Sequence, residues 1–328
     1  MRKVVLTGFG GPEVLVPVEA PEPELPLDGW IVELRAIGLN FAELVERRGL
    51  YRKDQRLPYE IGKEACGVIV QKGRDARGFE LGQRVIALKF SGGCYAERVA
   101  LRPGQILPLP AHLDFAAGAA FAIAYATAWY AQEELARARP GETALIQAAA
   151  GATGSAAVRL AKARGLTVIG TAGGPEKVTQ VLALGADACI DYRGEDLRSR
   201  VASDTGGRGV DYCLESVGGE VFEHSLACLA PLGRLVTIGF SSIEKDHAER
   251  IKRVHPLMLF LRSWGLFGLN IENLDFPRRS DVWGRLCALA EARRLEPLIG
   301  ARFPLEQAAA AHAAIEARRT AGKVLLIP

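Results

Sequence analysis

No apolar run in this 328-residue chain reaches membrane-spanning length, so nothing in the sequence argues for a bilayer-embedded protein. Cysteine is sparse and scattered. The six, at positions 66, 94, 189, 213, 228 and 287, include no C-x-x-C pair and no Cys/His group at metal-ligand spacing. They are expected to be reduced, mostly buried thiols. Excess charge is also scarce: a formal +3 is too small and too dispersed to argue for nucleic acid, and no basic stripe carries interleaved aromatics. The opening MRKVVLTGFGG lacks the apolar stretch and cleavage site of a signal peptide, which makes a cytoplasmic location the expectation. Internal repeats and low-complexity linkers are absent as well.

What is present describes an ordinary globular protein. Hydrophobic residues make up 49%, charged residues 24%, and 36 glycines suit a turn-rich α/β chain, whose length favours two domains. Residues 1–113 are dense in glycine and proline around short apolar runs such as IVELRAIGL (31–39), ACGVIVQKG (65–73) and QRVIAL (83–88), which reads as a β-rich domain. An alanine-rich helical segment then opens an alternation of strands and helices over 114–271, with ALIQA, TVIGTA, ACIDY, VDYCLESVG, RLVTIGF and WGLFGLNI as strands. That alternation predicts a doubly wound parallel sheet. Residues 272–328 are assigned back to the first domain.

The most informative stretch is ALIQAAAGATGSAAVRLAK (144–162), a strand, a glycine turn and a helix in succession. Ala148, Gly151 and Gly154 give an A-x-x-G-x-x-G variant of the Rossmann dinucleotide pattern. Small residues there let backbone approach a pyrophosphate, whose charge sits on the open N–H groups at the helix start around Ala152 and Thr153.

In this order, GFGGPEVL, GLNFAELVERRGLY, GKEACGVI, GQRVIAL, the glycine turn, LGADACIDY, GGRGVDYCLESVGG and AGKVLLIP resemble the zinc-independent quinone oxidoreductase branch of the medium-chain dehydrogenases/reductases. That branch includes the vesicle amine transport protein homologues and the enoyl-thioester reductases. The resemblance implies a Rossmann domain with a GroES-like catalytic domain, NADPH as cofactor with NADH as the alternative, a homodimer, and reduction of a small molecule carrying a conjugated C=C: a quinone, an enone or an acyl-thioester. Where zinc-dependent relatives place their ligands this chain has Asn40, Lys63 and a position near Ile123, and the four-cysteine lobe is missing, so no metal is expected.

The resemblance also assigns residues. After the second strand Ala172 stands where NAD-preferring enzymes present an acid, and Lys177 matches a lysine that contacts the 2′-phosphate, although it also reads as a surface lysine in a first helical turn. Gly173 lies in a Gly-Gly-Pro turn that departs from the commoner small polar residues, which keeps NADH open. Tyr192 and Arg318 match adenine-side contacts. Thr127, Gly218, Gly239, Phe267 and Leu269 match the nicotinamide end. Tyr51 corresponds to a proposed proton donor and Asn40 to an amide donor; Tyr51 also reads as a packing tyrosine. Glu43 and Arg47 are expected to pair along a helix. A cofactor-binding scaffold or sensor with little turnover is the second functional reading, and Lys245, Arg250, Lys252 and Arg253 form a basic group that suits either coenzyme A phosphates or a solvated helix face.

Overall fold

The computed structural model describes residues 1–51, 56–242, 254–274 and 280–328; the basic group Lys245, Arg250, Lys252 and Arg253 lies outside them. The chain divides into two compact units, Met1–Ile123 with Asp275–Pro328, and Ala124–Leu274.

The first unit opens with β1 (Arg2–Leu6), β2 (Leu15–Glu19), β3 (Trp30–Gly38), α1 (Phe41–Arg47), β4 (Tyr59–Glu60), β5 (Glu64–Lys72), β6 (Arg84–Leu88), β7 (Arg98–Leu101) and β8 (Ile106–Pro108). Helix α2 (Phe115–Trp129) follows, and α8, β15, α9 and β16 return to this unit from the C-terminal end as Ser280–Arg293, Ile299–Pro304, Ala308–Glu316 and Lys323–Ile327. The main sheet runs β15-β16-β3-β5-β6-β8 with β7 also on β3, and β2-β1-β4 forms a small second sheet. Val4, Leu6, Trp30, Val32, Ile37, Val85, Val99, Leu101 and Leu326 belong to one buried core between these strands. The composition change placed the domain edge at 113, ten residues before the division at Ile123. The first part of α2 packs on the first unit, where Gly118 sits against Cys66 and the Ile123 N–H donates to Glu64 Oε2 at 2.7 Å.

The second unit is an α/β layer structure. Its strands β9 (Thr143–Ile146), β10 (Thr167–Ala172), β11 (Ala188–Asp191), β12 (Val210–Glu215), β13 (Leu229–Thr237) and β14 (Gly265–Gly268) are joined through α3 (Ala152–Ala163), α4 (Pro175–Ala183), α5 (Leu197–Asp204), α6 (Gly219–Ala227) and α7 (Pro256–Arg262). All pairings are parallel and the order is β11-β10-β9-β12-β13-β14. That is the doubly wound Rossmann arrangement, with the order reversing between β9 and β12. The central strands are buried on both faces, which is why they read as continuous apolar runs; Leu145, Ile169, Ile190, Val210, Cys213 and Leu235 share one core. All six cysteines are free, and burial pushes the thiols of Cys66, Cys94, Cys189 and Cys287 up to about 12. No helix among the described residues is long and apolar enough to cross a membrane.

Candidate active site

The glycine turn follows β9 directly. The Gly151 N–H donates to the Ala148 carbonyl at 2.9 Å, closing the turn, and helix α3 starts at Ala152. A side chain at Gly154 would collide with the Ala148 carbonyl, so only glycine lets the helix pack on the turn. Ala148 itself is left-handed, at φ +49°, a conformation that costs an alanine about 1 kcal/mol. Thr171 at the end of β10 holds it there, because its Oγ1 accepts the Ala148 N–H at 3.1 Å while its carbonyl accepts the Ala149 N–H at 2.9 Å. The Thr171 hydroxyl donates in turn to Gln147 Oε1 at 2.7 Å, and Gln147 Nε2 donates to Ser225 Oγ on α6 at 2.9 Å. This buried polar chain fixes the cradle from below. No side chain caps α3, so the N–H groups around Ala152, Thr153 and Gly154 form the kind of anion seat that a pyrophosphate requires.

A second candidate loop follows β10. Ala172 is buried and carries no charge, Gly173 and Gly174 are buried, and Lys177 is half-buried in the first turn of α4. Tyr192, 47% exposed, crosses over Gly173, where any side chain would strike its hydroxyl. Arg318, at φ +54°, belongs to the other compact unit, so it shares no element with Lys177 and Tyr192.

The third loop follows β12. Glu215 is fully buried, and burial raises its carboxyl above the ordinary range against the N–H bonds that it accepts. These come from Gly218 at 2.7 Å and Val217 at 2.6 Å, and Thr237 Oγ1 donates to its other oxygen at 3.3 Å. Gly218, at φ +79° and ψ −170°, adopts a conformation reserved for glycine. The Ser241 and Ser242 N–H groups bond to Ser216 and Val217, and the Leu269 N–H bonds to Thr237 at 2.9 Å, so Gly218, Gly239 and Leu269 are drawn to one end of the sheet. A Cβ at Gly239 would meet only the Ser216 carbonyl, at 3.9 Å. Phe267 lies half-buried on the edge strand, and Thr127 is buried on α2.

The first unit holds a buried ionic cluster of its own. Asn40 opens α1, and the Glu43 carboxylate takes its backbone N–H, faces its Nδ2 at 3.3 Å and accepts the Lys63 N–H at 3.1 Å. Asn40 Oδ1 accepts from Lys323 Nζ at 2.7 Å, and the same ammonium pairs with Glu64 at 2.5 Å. Lys63, 1% exposed, pairs with Glu46 at 2.7 Å and stands 4.6 Å above the centre of the half-buried Tyr51 ring. Burial lifts the Glu43 carboxyl to about 7 despite Lys63 and Lys323. The expected helical pair of Glu43 with Arg47 does not form. Arg47 bonds to Glu316 at the end of α9, because both side chains are buried and each is claimed by a tertiary partner. Among the described residues no group of three or more His, Cys, Asp or Glu side chains is arranged to hold a metal ion.

Residues 28–111 match the alcohol dehydrogenase GroES-like domain, and residues 184–326 match a model described as zinc-binding dehydrogenase. Quinone oxidoreductase of Pseudomonas aeruginosa is 33% identical over 330 residues, covering 100% of this chain and 99% of its own. The chain belongs to the quinone oxidoreductase branch of the medium-chain dehydrogenases/reductases. Quinone oxidoreductase from Thermus thermophilus, solved alone and with NADPH, superposes with a TM-score of 0.82 at 36% identity, covering 100% of both chains. The Escherichia coli quinone oxidoreductase, complexed with NADPH, gives a TM-score of 0.88 at 30% identity and the same coverage.

Gln147, Thr171, Glu215, Glu46, Glu64 and Lys323 were not singled out by sequence. Their only sequence signal is a polar residue at a position that the surrounding apolar pattern assigns to the interior.

Proposed function

We propose that this member of the family uses NADPH to reduce small acceptors with an electron-poor conjugated C=C, covering quinones, enones and α,β-unsaturated acyl-thioesters. The observation that carries the reading is the uncapped α3 start above a turn whose Gly154 admits no side chain, beside a second strand that ends in Ala172 rather than an acid. When bound, NADPH supplies a hydride from its nicotinamide ring.

The chain's own residues do the rest. Ala148, Gly151, Ala152, Thr153 and Gly154 hold the pyrophosphate through backbone, and Lys177 meets the 2′-phosphate, with Tyr192 and Arg318 on the adenine side. Glu215 shapes the loop that presents Gly218 to the nicotinamide, with Thr127, Gly239, Phe267 and Leu269 completing that end. Hydride addition at the β-carbon leaves an enolate on the acceptor, and the Tyr51 phenol passes its proton to the α-carbon and is reprotonated from water. Lys63 Nζ stands over the Tyr51 ring in a cation–π contact that holds the phenol in place. Asn40, tied to Lys323 and Glu43, positions this cluster.

The assembly is proposed to be a homodimer. Strand β14 is the sheet edge, and α7 beside it exposes Leu257, Met258, Phe260 and Leu261, with Leu232 joined to the helix end through its N–H to Ser263. A second copy covering β14 buries these side chains and satisfies the strand edge.

Tyr51→Phe keeps the ring and removes the acid. It should lower turnover of enones and unsaturated thioesters at least about tenfold with NADPH affinity unchanged, and quinones less, because their reduced oxygens take protons from water. Wild-type rates with enones would return Tyr51 to packing.

A further inference from the structure

The turn after β10 lacks more than an acid. Gly173 and Gly174 offer no side-chain hydroxyl to a phosphate, and the residue paired with Ala172 across the parallel ladder is Asp191, a carboxylate one strand away. Asp191 ties the two loops together, because its Oδ1 accepts the Gly174 N–H at 2.9 Å and the Arg193 N–H at 3.1 Å. Left to itself it would place a negative charge beside the position where a 2′-phosphate has to sit. Arg193 answers that charge.

A Cβ built at Gly173 would lie 3.2 Å from Arg193 Nε, and one at Gly174 would lie 3.3 Å from Nη1, so the guanidinium lies across the glycine pair in the space that side chains would fill. Its position depends on the two glycines being bare. Both are buried while Arg193 is exposed, and Lys177 stands in the first turn of the helix that these glycines open. We infer that Arg193 is a cofactor-specificity residue, contributing with Lys177 to a two-cation seat for the 2′-phosphate of NADPH. The inference rests on the NADPH reading above and extends it to a residue on β11's loop. A planar guanidinium presents paired N–H donors to phosphate oxygens, a recognition geometry that an ammonium alone lacks.

The test measures binding without turnover, by titration calorimetry of Arg193→Gln, Arg193→Lys and Lys177→Gln with two ligand pairs, NADPH against NADH and 2′,5′-ADP against 5′-AMP. Within each pair the ligands differ by the 2′-phosphate. Arg193→Gln should weaken NADPH and 2′,5′-ADP about tenfold while NADH and 5′-AMP stay within about twofold, and Arg193→Lys should recover part of the loss. Retained NADH binding shows that the loop is intact. Equal losses within each pair would make Arg193 a loop-shaping residue, and no loss at all would remove it from the site; either overturns the inference. Loss of discrimination in Lys177→Gln but not in Arg193→Gln overturns the inference alone, and a wild type that binds NADH as tightly as NADPH overturns the cofactor reading with it.

Discussion

Glu43 carries a net cost that pH can reveal. Its carboxyl titrates near 7 in the folded chain, chiefly through burial, and near the ordinary range when unfolded. Between those values the folded state holds the proton more tightly, so this group favours folding at acid pH and that contribution is lost as pH rises through about 7. The window spans ~2.5 pH units, worth ~3 kcal/mol. Glu43→Gln should therefore flatten the pH dependence of the melting temperature between about pH 5 and 8 relative to wild type. His312 acts with the opposite sign at acid pH, since burial pushes it down to about 3, but it is common to both proteins and cancels in the comparison. Identical pH slopes would place the Glu43 carboxylate in the ordinary range. Lys63 yields a second expectation at this scale: an ammonium already paired with Glu46 stands in the place of a zinc-ligating histidine, so purified protein should contain no stoichiometric zinc and keep its activity under chelation. Zinc at one equivalent, with activity lost to a chelator and restored by the metal, contradicts this.

At the scale of elements, the cradle was legible because its parts are contiguous. A run of β-type apolar residues, a small-residue turn and an alanine-rich helix fall within ALIQAAAGATGSAAVRLAK, and β9 and α3 occupy that stretch. The long strands were legible for a similar reason: β3 spans 30–38 and β5 spans 64–72, within a residue of the apolar runs that announced them. The supports beneath were not legible. Gln147 and Ser225 are 78 residues apart, and Lys323 and Asn40 are 283 apart, so their partnerships exist only after the chain has folded. The helical spacing of Glu43 and Arg47 misled for the complementary reason, because local spacing predicts pairs on exposed helix faces and this helix buries both. Gly154→Val tests the cradle as an element. It should weaken NADPH and NADH together by at least about tenfold, since the pyrophosphate is common to both. Selective loss of NADPH would place the disturbance elsewhere.

For the whole molecule, a β-rich unit returns at its C-terminal end to complete its own sheet, while a parallel sheet carries the glycine turn and the loops proposed to hold the cofactor at the carboxyl ends of its strands. The exposed apolar residues of α7 bear on assembly. Light scattering should give the mass of two chains for the wild type, and Phe260→Asp, which places a charge on a residue 77% exposed, should give one. A wild-type monomer would leave that surface unexplained by a second copy. The central claim is reductive turnover with NADPH, and it is tested most directly by stopped-flow mixing of the NADPH-loaded protein with a quinone, an enone and an unsaturated thioester while nicotinamide absorbance is followed. That absorbance should fall with at least one acceptor class, faster with NADPH than with NADH and unaffected by a chelator. A change in NADPH fluorescence on binding, with no oxidation by any acceptor, would contradict it and identify a cofactor-binding protein in place of an enzyme.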